Sequence, residues 1–326
     1  MLWRICFRIA ALLAALAGIF LQPVAWAQTY PTKPIRMIVG FPPGGAADIM
    51  ARILGQKLGE KFRQQLVIDN RAGAGGSMAS EITAKAAPDG YTLLMISSSH
   101  AANAALQEKL PYQPVRDFAP VILVATAPNV LIANPAILLN SVTDVIAMAR
   151  ARPGQLNFAS AGNGSVTHLA GELFKRMANV NLMHVPYKGS APALVDVISG
   201  QVQLGFCALP TAVPQIKNGR VKAIAVTSVK RSPVWAEIPT ISESGIAGYE
   251  AANWYGILAP AATPRQIVGK LNAEVLRAIR VSDISDAIAR QGADPAGGTP
   301  AEFETYMTSE IAKWTNVVRA AGLRGD

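Results

Sequence analysis

The sequence predicts an α/β fold, and three observations carry that reading. Short runs rich in Val and Ile recur along the chain, glycine-rich loops follow several of them, and those loops open into amphipathic segments. This is the grammar of strand, turn and helix. In order, the runs are Ile35–Gly40, Leu66–Ile68, Tyr91–Ile96, Val121–Ala125, Leu156–Ala159, Leu182–Val185, Val202–Phe206 and Lys222–Thr227. Helical patterns between many of them call for crossover connections, and hence for parallel pairing. Their spacing varies and the loops differ in sequence, which excludes a solenoid of fixed period. After residue 260 the character changes. Thr263-Pro264 and Thr299-Pro300 each set a capping residue before a proline suited to a first helical turn, so two helices are expected. In the second, Phe303, Met307, Ile311, Trp314 and Val318 recur at three- and four-residue spacing and form one core-facing stripe. Such helices need a sheet to lie on. The chain is therefore expected to enter a second domain near Ala127–Asn129, return near Asn253–Tyr255, and finish on the first domain. That gives domain 1 as residues 28–127 and 254–326, and domain 2 as 128–253.

Composition narrows the class. A chain of 326 residues that is 51% hydrophobic and 16% charged folds around more than one core. It carries 30 basic against 21 acidic residues, but no run of five Lys or Arg, and only 6% aromatics. A nucleic-acid binder would show a basic stripe with stacking aromatics, so nucleic acid is excluded as the expected partner. Arg4 and Arg8 precede an apolar stretch, Ile9–Leu21, which ends in Pro23 and Ala25-Trp26-Ala27. This reads as a secretory signal peptide cleaved after Ala27. The competing reading, an uncleaved anchor, needs about 20 apolar residues to span a bilayer. Export to the periplasm is the expectation. Cys6 leaves with the leader, so Cys207 is the one mature thiol and no internal disulfide is available.

Three loops lie between a strand and a helix. Gly40-Phe41-Pro42-Pro43-Gly44-Gly45-Ala46-Ala47-Asp48 exposes backbone N–H groups at a helix amino terminus, where unpaired donors and the macrodipole favour an anion. A tight turn that binds nothing fits the same glycines. Asp48, in the first turn, reads as a local cap. Asn70-Arg71-Ala72-Gly73-Ala74-Gly75-Gly76-Ser77 misses the G-x-G-x-x-G dinucleotide spacing and reads as a backbone-close turn near the interdomain cleft. The third loop, Ser160-Ala161-Gly162-Asn163-Gly164-Ser165-Val166-Thr167-His168, offers hydroxyls and first-turn amides to a carboxylate, ahead of a helix whose expected buried face is Leu169, Leu173, Phe174 and Met177.

A catalytic reading of the third loop takes Ser165 as nucleophile and His168 as base, the pair of an exported hydrolase-like enzyme. It lacks an orienting carboxylate, an oxyanion hole and the G-x-S-x-G elbow. Only His100, His168 and His184 are present, with no H-x-x-x-H, no paired cysteines and no G-K-[ST], so metal and P-loop chemistry are disfavoured and no cofactor is expected. Cys207, within Phe206-Cys207-Ala208-Leu209, reads as an inert buried thiol.

Four motifs, taken in order and spacing, point to a family: Phe41-Pro42-Pro43-Gly44-Gly45-x-x-Asp48, Asn70-Arg71-x-Gly73-Ala74-Gly75-Gly76, Gly162-x-Gly164-Ser165-x-x-His168 and His184-Val185-Pro186-Tyr187-Lys188-Gly189. With Trp254-Tyr255-Gly256 and Ala259-Pro260-Ala261-x-Thr263-Pro264 near the return crossover, the chain resembles the extracytoplasmic receptors of tripartite tricarboxylate transporters, the Bug or TctC-like family. The resemblance covers essentially the whole mature chain. It implies a two-domain periplasmic binding protein fold, type II-like, with two interdomain crossovers, a monomer that is not an enzyme. Such a receptor closes on a di- or tricarboxylate or an aromatic carboxylate and delivers it to the membrane components of the transporter. Carried onto this sequence, Phe41, Pro43, Gly44, Gly45 and Ala46 would contact one end of the ligand. Asn163, Gly164, Ser165, Thr167 and His168 would hold the other, with Ser99 and Cys207 also at the cleft. Where family members often show Phe-Asp-Asn before a Leu-Pro pair, this chain has Phe206-Cys207-Ala208 before Leu209-Pro210. Losing that polar pair disfavours an amino-acid ligand and favours a plainer or aromatic acid.

Overall fold

The amino-terminal third alternates strand and helix as its pattern requires. In the computed structural model it forms β1 (Ile35–Val39), α1 (Ala46–Phe62), β2 (Leu66–Asn70), a 3-10 turn at Ala74–Gly76, α2 (Ser77–Ala84), β3 (Thr92–Ser97) and α3 (Ser99–Leu106). The structure describes Trp3 and residues 30–107, 109–232 and 235–322. Apart from Trp3, the expected leader at 1–27 lies outside the described residues. Every described strand lies in the unit that begins at Lys33.

β1 runs parallel to both β2 and β3. Met37, Ile38 and Val39 are buried on both faces of the sheet, as a strand covered by crossover helices must be. Met50, Leu54 and Leu58 recur every four residues on α1 and are buried in turn.

β4 (Phe118–Ala127) passes into β5 (Asn129–Ala133) with only Pro128 between them, and the two strands belong to different sheets. The second sheet is built from β5, α4 (Val142–Ala151), β6 (Asn157–Ser160), α5 (Val166–Ala178), β7 (Met183–Pro186), α6 (Ser190–Ile198), β8 (Leu204–Ala208), α7 (Leu209–Lys217) and β9 (Lys222–Val226), in strand order β7-β6-β8-β5-β9. The chain returns through β10 (Asn253–Pro260) and ends with α8 (Arg265–Arg280), α9 (Ser282–Arg290), β11 (Asp294–Gly297) and α10 (Pro300–Ala321). The first sheet then reads β11-β4-β10-β3-β1-β2. Among the described residues no helix is long and apolar enough to cross a membrane.

The α/β class holds, and several details differ from expectation. The sheets are mixed rather than parallel: β10 is antiparallel to β3 and β4, β11 to β4, and β5 to β8 and β9. β5, β10 and β11 answer to none of the expected runs. β5 and β10 are buried at every position, and neither is followed by a glycine-rich loop like those after β1 and β6. β11, Asp294-Pro295-Ala296-Gly297, has no apolar run and is a strand by its pairing alone. Three carboxy-terminal helices form rather than two. Thr299 caps α10 with a reciprocal Glu302 contact, whereas Thr263 makes no cap to α8 and its buried hydroxyl has no partner. On α5, Leu169 and Phe174 are buried, but Met177 is exposed beside the helix end.

The two passages between sheets are pinned to each other. Thr227 Oγ1 donates to Ala251 O at 2.9 Å and accepts from Asn129 N at 2.9 Å, while Asn129 Nδ2 donates to Ala251 O at 2.8 Å. Asn253 Nδ2 reaches Asn129 Oδ1 at 3.4 Å. All these side chains are buried, so each satisfied polar group fixes where the chain crosses.

Candidate functional site

Five helices begin at one chamber between the two sheets. Its lining takes Gly45, Ala46 and Ala47 from the start of α1, Ser99 from α3, Val166 and Thr167 from α5, Ser190 from α6 and Ala208 at the start of α7, and is completed by Phe41, Ser97, Ala161, Asn253 and Tyr255. The arrangement follows from topology: strands of both sheets end here, and the loop after each leads into a helix whose first N–H groups have no partner within the helix. No lining side chain is charged. The chamber has a cavity volume of about 20 Å³ and adjoins an outer vestibule of about 490 Å³, which is walled by Gly73–Gly76, Gly162, Asn163, Tyr187 and Lys188 and shares Phe41 and Ala161 with it.

The lining hydroxyls have a common polarity. Ser97 Oγ accepts from Ser99 N at 3.3 Å, Ser99 Oγ from Val166 N at 3.2 Å, and Ser190 Oγ from Ala208 N at 3.4 Å. Tyr255 oxygen accepts from Asn253 Nδ2 at 3.1 Å. Each oxygen thereby accepts one bond, and each O–H proton is left to be donated. The Ser99–Val166 contact also joins the two sides of the chamber.

The α1 loop is held from behind. Asp48, buried, accepts from Gly44 N at 2.9 Å, Arg52 Nε at 2.9 Å and Asn70 Nδ2 at 3.0 Å, and Asn70 Nδ2 also donates to Phe41 O at 2.9 Å. Burial alone would raise the Asp48 pKa, but the bonds from Arg52, Gly44 and Asn70 outweigh it and hold the carboxyl below the usual range. Asp48 braces the loop as a local partner, and the N–H groups of Ala46 and Ala47 at the start of α1 have no acceptor among the described residues.

The α5 loop is built differently. Ser165, fully buried, is the helix cap: its hydroxyl accepts from His168 N, donates to Gly162 O at 2.7 Å and lies 2.9 Å from Thr167 Oγ1. Its hydroxyl is turned into its own loop, and Val166 and Thr167 face the chamber instead. The His168 ring stacks on His184 at 4.2 Å, and its Nδ1 accepts from Gly164 N at 3.4 Å. The Ser165 proton thus goes to a carbonyl, and no Ser165–His168 nucleophile–base pair forms. Beneath, Ser160 Oγ joins His184 Nε2 at 2.6 Å to Gly162 N at 3.1 Å. Burial lowers the His184 pKa to about 3, with the His168 and Lys175 charges adding to the effect.

Of the residues expected at the site, Phe41, Gly45, Ala46, Ser99 and Thr167 line the chamber, and Asn163 lines the vestibule. Pro43, Gly44, Gly164, Ser165 and His168 lie in the same two loops without lining the chamber. Cys207 departs from its expected place at the cleft: it is buried among Val130, Ala159 and Ala193, its Sγ lies 4.0 Å from Ser190 O, burial pushes its pKa up to about 12, and Ala208 takes the lining position. Ser97, Ser190, Asn253 and Tyr255 were missed. Ser97 and Ser190 follow the same strand–loop–helix grammar as the named loops, and that signal was there to be read. Among the described residues no group of three or more His, Cys, Asp or Glu is placed to hold a metal.

Two α/β lobes around a chamber of helix amino termini define a solute-binding protein of the periplasmic type. The family model described as "Tripartite tricarboxylate transporter family receptor", TctC, matches residues 50–323, and the chain belongs to this family. It is 39% identical to the protein BugT of Bordetella pertussis over 320 residues, covering 96% of this chain and 98% of that one. Among solved structures it is similar to Rpa4515 of R. palustris with adipate, at TM-score 0.88 and 38% identity over 90% of this chain and 99% of that one. It is also similar to MatC from Rhodopseudomonas palustris with bound malate, at TM-score 0.85 and 34% identity over 89% and 100%.

Proposed function

We propose that the protein captures a small organic carboxylate in this chamber and delivers it to the membrane components of a tripartite tricarboxylate-type transporter. The observation that carries the reading is the convergence of five helix amino termini and four donor-oriented hydroxyls on a chamber lined by no charged side chain. Partial positive charge at the helix starts, the open N–H groups of Ala46 and Ala47 and the free hydroxyl protons stabilise an anion there without a cation. A cationic or purely apolar ligand would leave the same groups desolvated and unpaired. The adipate and malate held by the two similar structures support a carboxylate. With Cys207 and Ala208 in place of a polar pair, a plain or aromatic acid fits better than an amino acid.

Residues 28–127 with 254–326, and 128–253, act as two domains that part and close about the pinned crossovers. At about 20 Å³ the chamber admits little more than a water while closed, so the ligand enters by that motion. The leader is cleaved after Ala27 and the mature receptor works in the periplasm as a monomer without catalysing a reaction. The hydrolase-like alternative is disfavoured by the bond from the Ser165 hydroxyl to Gly162 O.

A thermal-shift screen of the mature protein against mono-, di-, tri- and aromatic carboxylates tests the proposal. An acid at about 100 times its dissociation constant raises stability by about 2.7 kcal/mol. Stabilisation by neutral or cationic analogues but by no acid would overturn the carboxylate reading. Turnover of the bound acid would overturn the receptor reading.

A further inference from the structure

The chamber contains one donor that cannot turn away, the Tyr255 hydroxyl. Asn253 Oδ1 accepts from Ser98 Oγ at 2.6 Å, Ser98 N at 3.3 Å and Trp254 N at 2.9 Å. Three donors on one oxygen fix the amide orientation, so Nδ2 must donate to the phenol oxygen. The phenol proton is left over. Among the described residues it has no acceptor, although Tyr255 is only 1% exposed and lines the chamber. Burial raises the phenol pKa, with the Cys207 thiol adding to it, so this proton stays in place at neutral pH, where a carboxylic acid is ionised.

Serine hydroxyls rotate to suit what is bound. The phenol O–H is different: its ring is set on β10, between β3 and β4 in the sheet, and its oxygen is held by Asn253, which also reaches the crossover residue Asn129. A donor so fixed discriminates between ligands, because a group that cannot accept leaves a buried O–H unpaired.

We propose, resting on the carboxylate reading above, that Tyr255 is a specificity-determining residue: its hydroxyl donates to a second acceptor oxygen of the ligand, selecting diacids over monoacids of equal chain length. The first carboxylate is held by the helix amino termini. The second acceptor meets Tyr255, and through Asn253 it is registered against both crossovers. An ammonium at that position would meet a donor and be rejected.

The probes are succinate, glutarate and adipate, each paired with butyrate, valerate and hexanoate of matching length, titrated by calorimetry into the wild type and Tyr255→Phe. Wild type is expected to favour at least one diacid over its monoacid by about tenfold or more, and Tyr255→Phe to lose about tenfold for that diacid while keeping monoacid affinity within about twofold. The discrimination by the wild type stands as a test even if the variant folds poorly. Equal binding of diacid and monoacid, or a diacid bound equally by both proteins, overturns the role of Tyr255 and leaves the carboxylate reading intact. Binding of no acid in the panel, with a neutral ligand bound instead, overturns both.

Discussion

The α1 and α5 loops look alike in sequence, each a glycine-rich turn between a strand and a helix, yet they present their amides in opposite ways. The cap of α1 is Gly45, which has no side chain to accept a bond, so the N–H groups of Ala46 and Ala47 stay open to the chamber. The cap of α5 is Ser165, which takes the His168 N–H, and Ser99 takes that of Val166. One loop keeps its donors for a ligand; the other spends most of them on its own shape and on the opposite side of the chamber. The cap residue, rather than the glycine content, decides which helix start is free.

The two loops also rest on different braces, and pH separates them. His184 must stay neutral to hold Ser160 under the α5 loop, and its folded pKa of about 3 lies below the ordinary 6.5. Protons therefore bind the unfolded chain first as pH falls below 6.5, and native stability is lost from there downward. Asp48, under the α1 loop, has a folded pKa below its ordinary 3.8, so its contribution is present above that value and lost only as pH falls further. Between about pH 6 and 4 the brace under the α5 loop weakens while the one under the α1 loop holds. His100 adds to the loss: burial lowers it to about 4, with its Nε2 on Pro114 O at 2.8 Å. Each histidine removes at most about 1.4 kcal/mol per pH unit over that interval. Denaturant melts across the range should show this decline, with a shallower slope in His184→Gln. A flat profile from pH 6.5 to 4 would refute the assignment of a neutral brace to the α5 side.

Glycine substitution sharpens the contrast. Gly44 and Gly164 have nearly the same positive φ, 78° and 75°, but a Cβ on Gly44 meets open space while one on Gly164 would lie 2.1 Å from Asn103 Oδ1. Asn103 belongs to the opposite side of the cleft, where its Nδ2 holds Gly75 O at 3.0 Å. Parting the lobes relieves that clash, so the damage falls on closure. Gly164→Ala is expected to weaken ligand binding by roughly 5- to 150-fold, from the 1–3 kcal/mol of an overpacked contact. Gly44→Ala should show only the cost of its φ, about 1 kcal/mol of stability. Calorimetry and apo melting on both variants check this; equal losses of affinity would show that closure does not bring Gly164 against Asn103.

Much of this was legible in sequence because parallel strand–loop–helix units write themselves locally. β1, β3, β6 and β8 were read from runs of four to six residues, and the loops after β1 and β6 from stretches of nine. What escaped was non-local. β5 and β10 are buried throughout, so no alternation marks them, and their strand character comes from neighbours far along the chain. Tyr255 and Asn253 become site residues only because β10 returns beside β3 after a long excursion. Thr263 and Thr299 carry the same Thr-Pro signal, each with a capping-box side chain three residues on, Gln266 and Glu302, but only Thr299 caps its helix. Cys207 illustrates the reverse error: an apolar setting read correctly as burial, and a family position that put it at the cleft, where its neighbour Ala208 stands instead.

The smallest expected effect bears most directly on the two loops. If Ser165 is a cap whose hydroxyl closes back on Gly162 O, Ser165→Ala removes the acceptor of His168 N and the partner of Thr167 Oγ1 while leaving the chamber lining in place. Apo stability should fall by roughly 0.5–2 kcal/mol, as for the loss of any helix cap. Affinity for the bound acid should change by less than about threefold, since that is under 1 kcal/mol. Were the hydroxyl a direct ligand contact, the same substitution would cost about 1.5–3 kcal/mol of binding and little apo stability. Melting the apo variant and titrating it with the acid found in the screen separates the two, because one role shifts the melting curve and the other shifts the isotherm. A shifted isotherm with an unmoved melting curve would make the two loops functional equals and dissolve the contrast between a free helix start and a capped one.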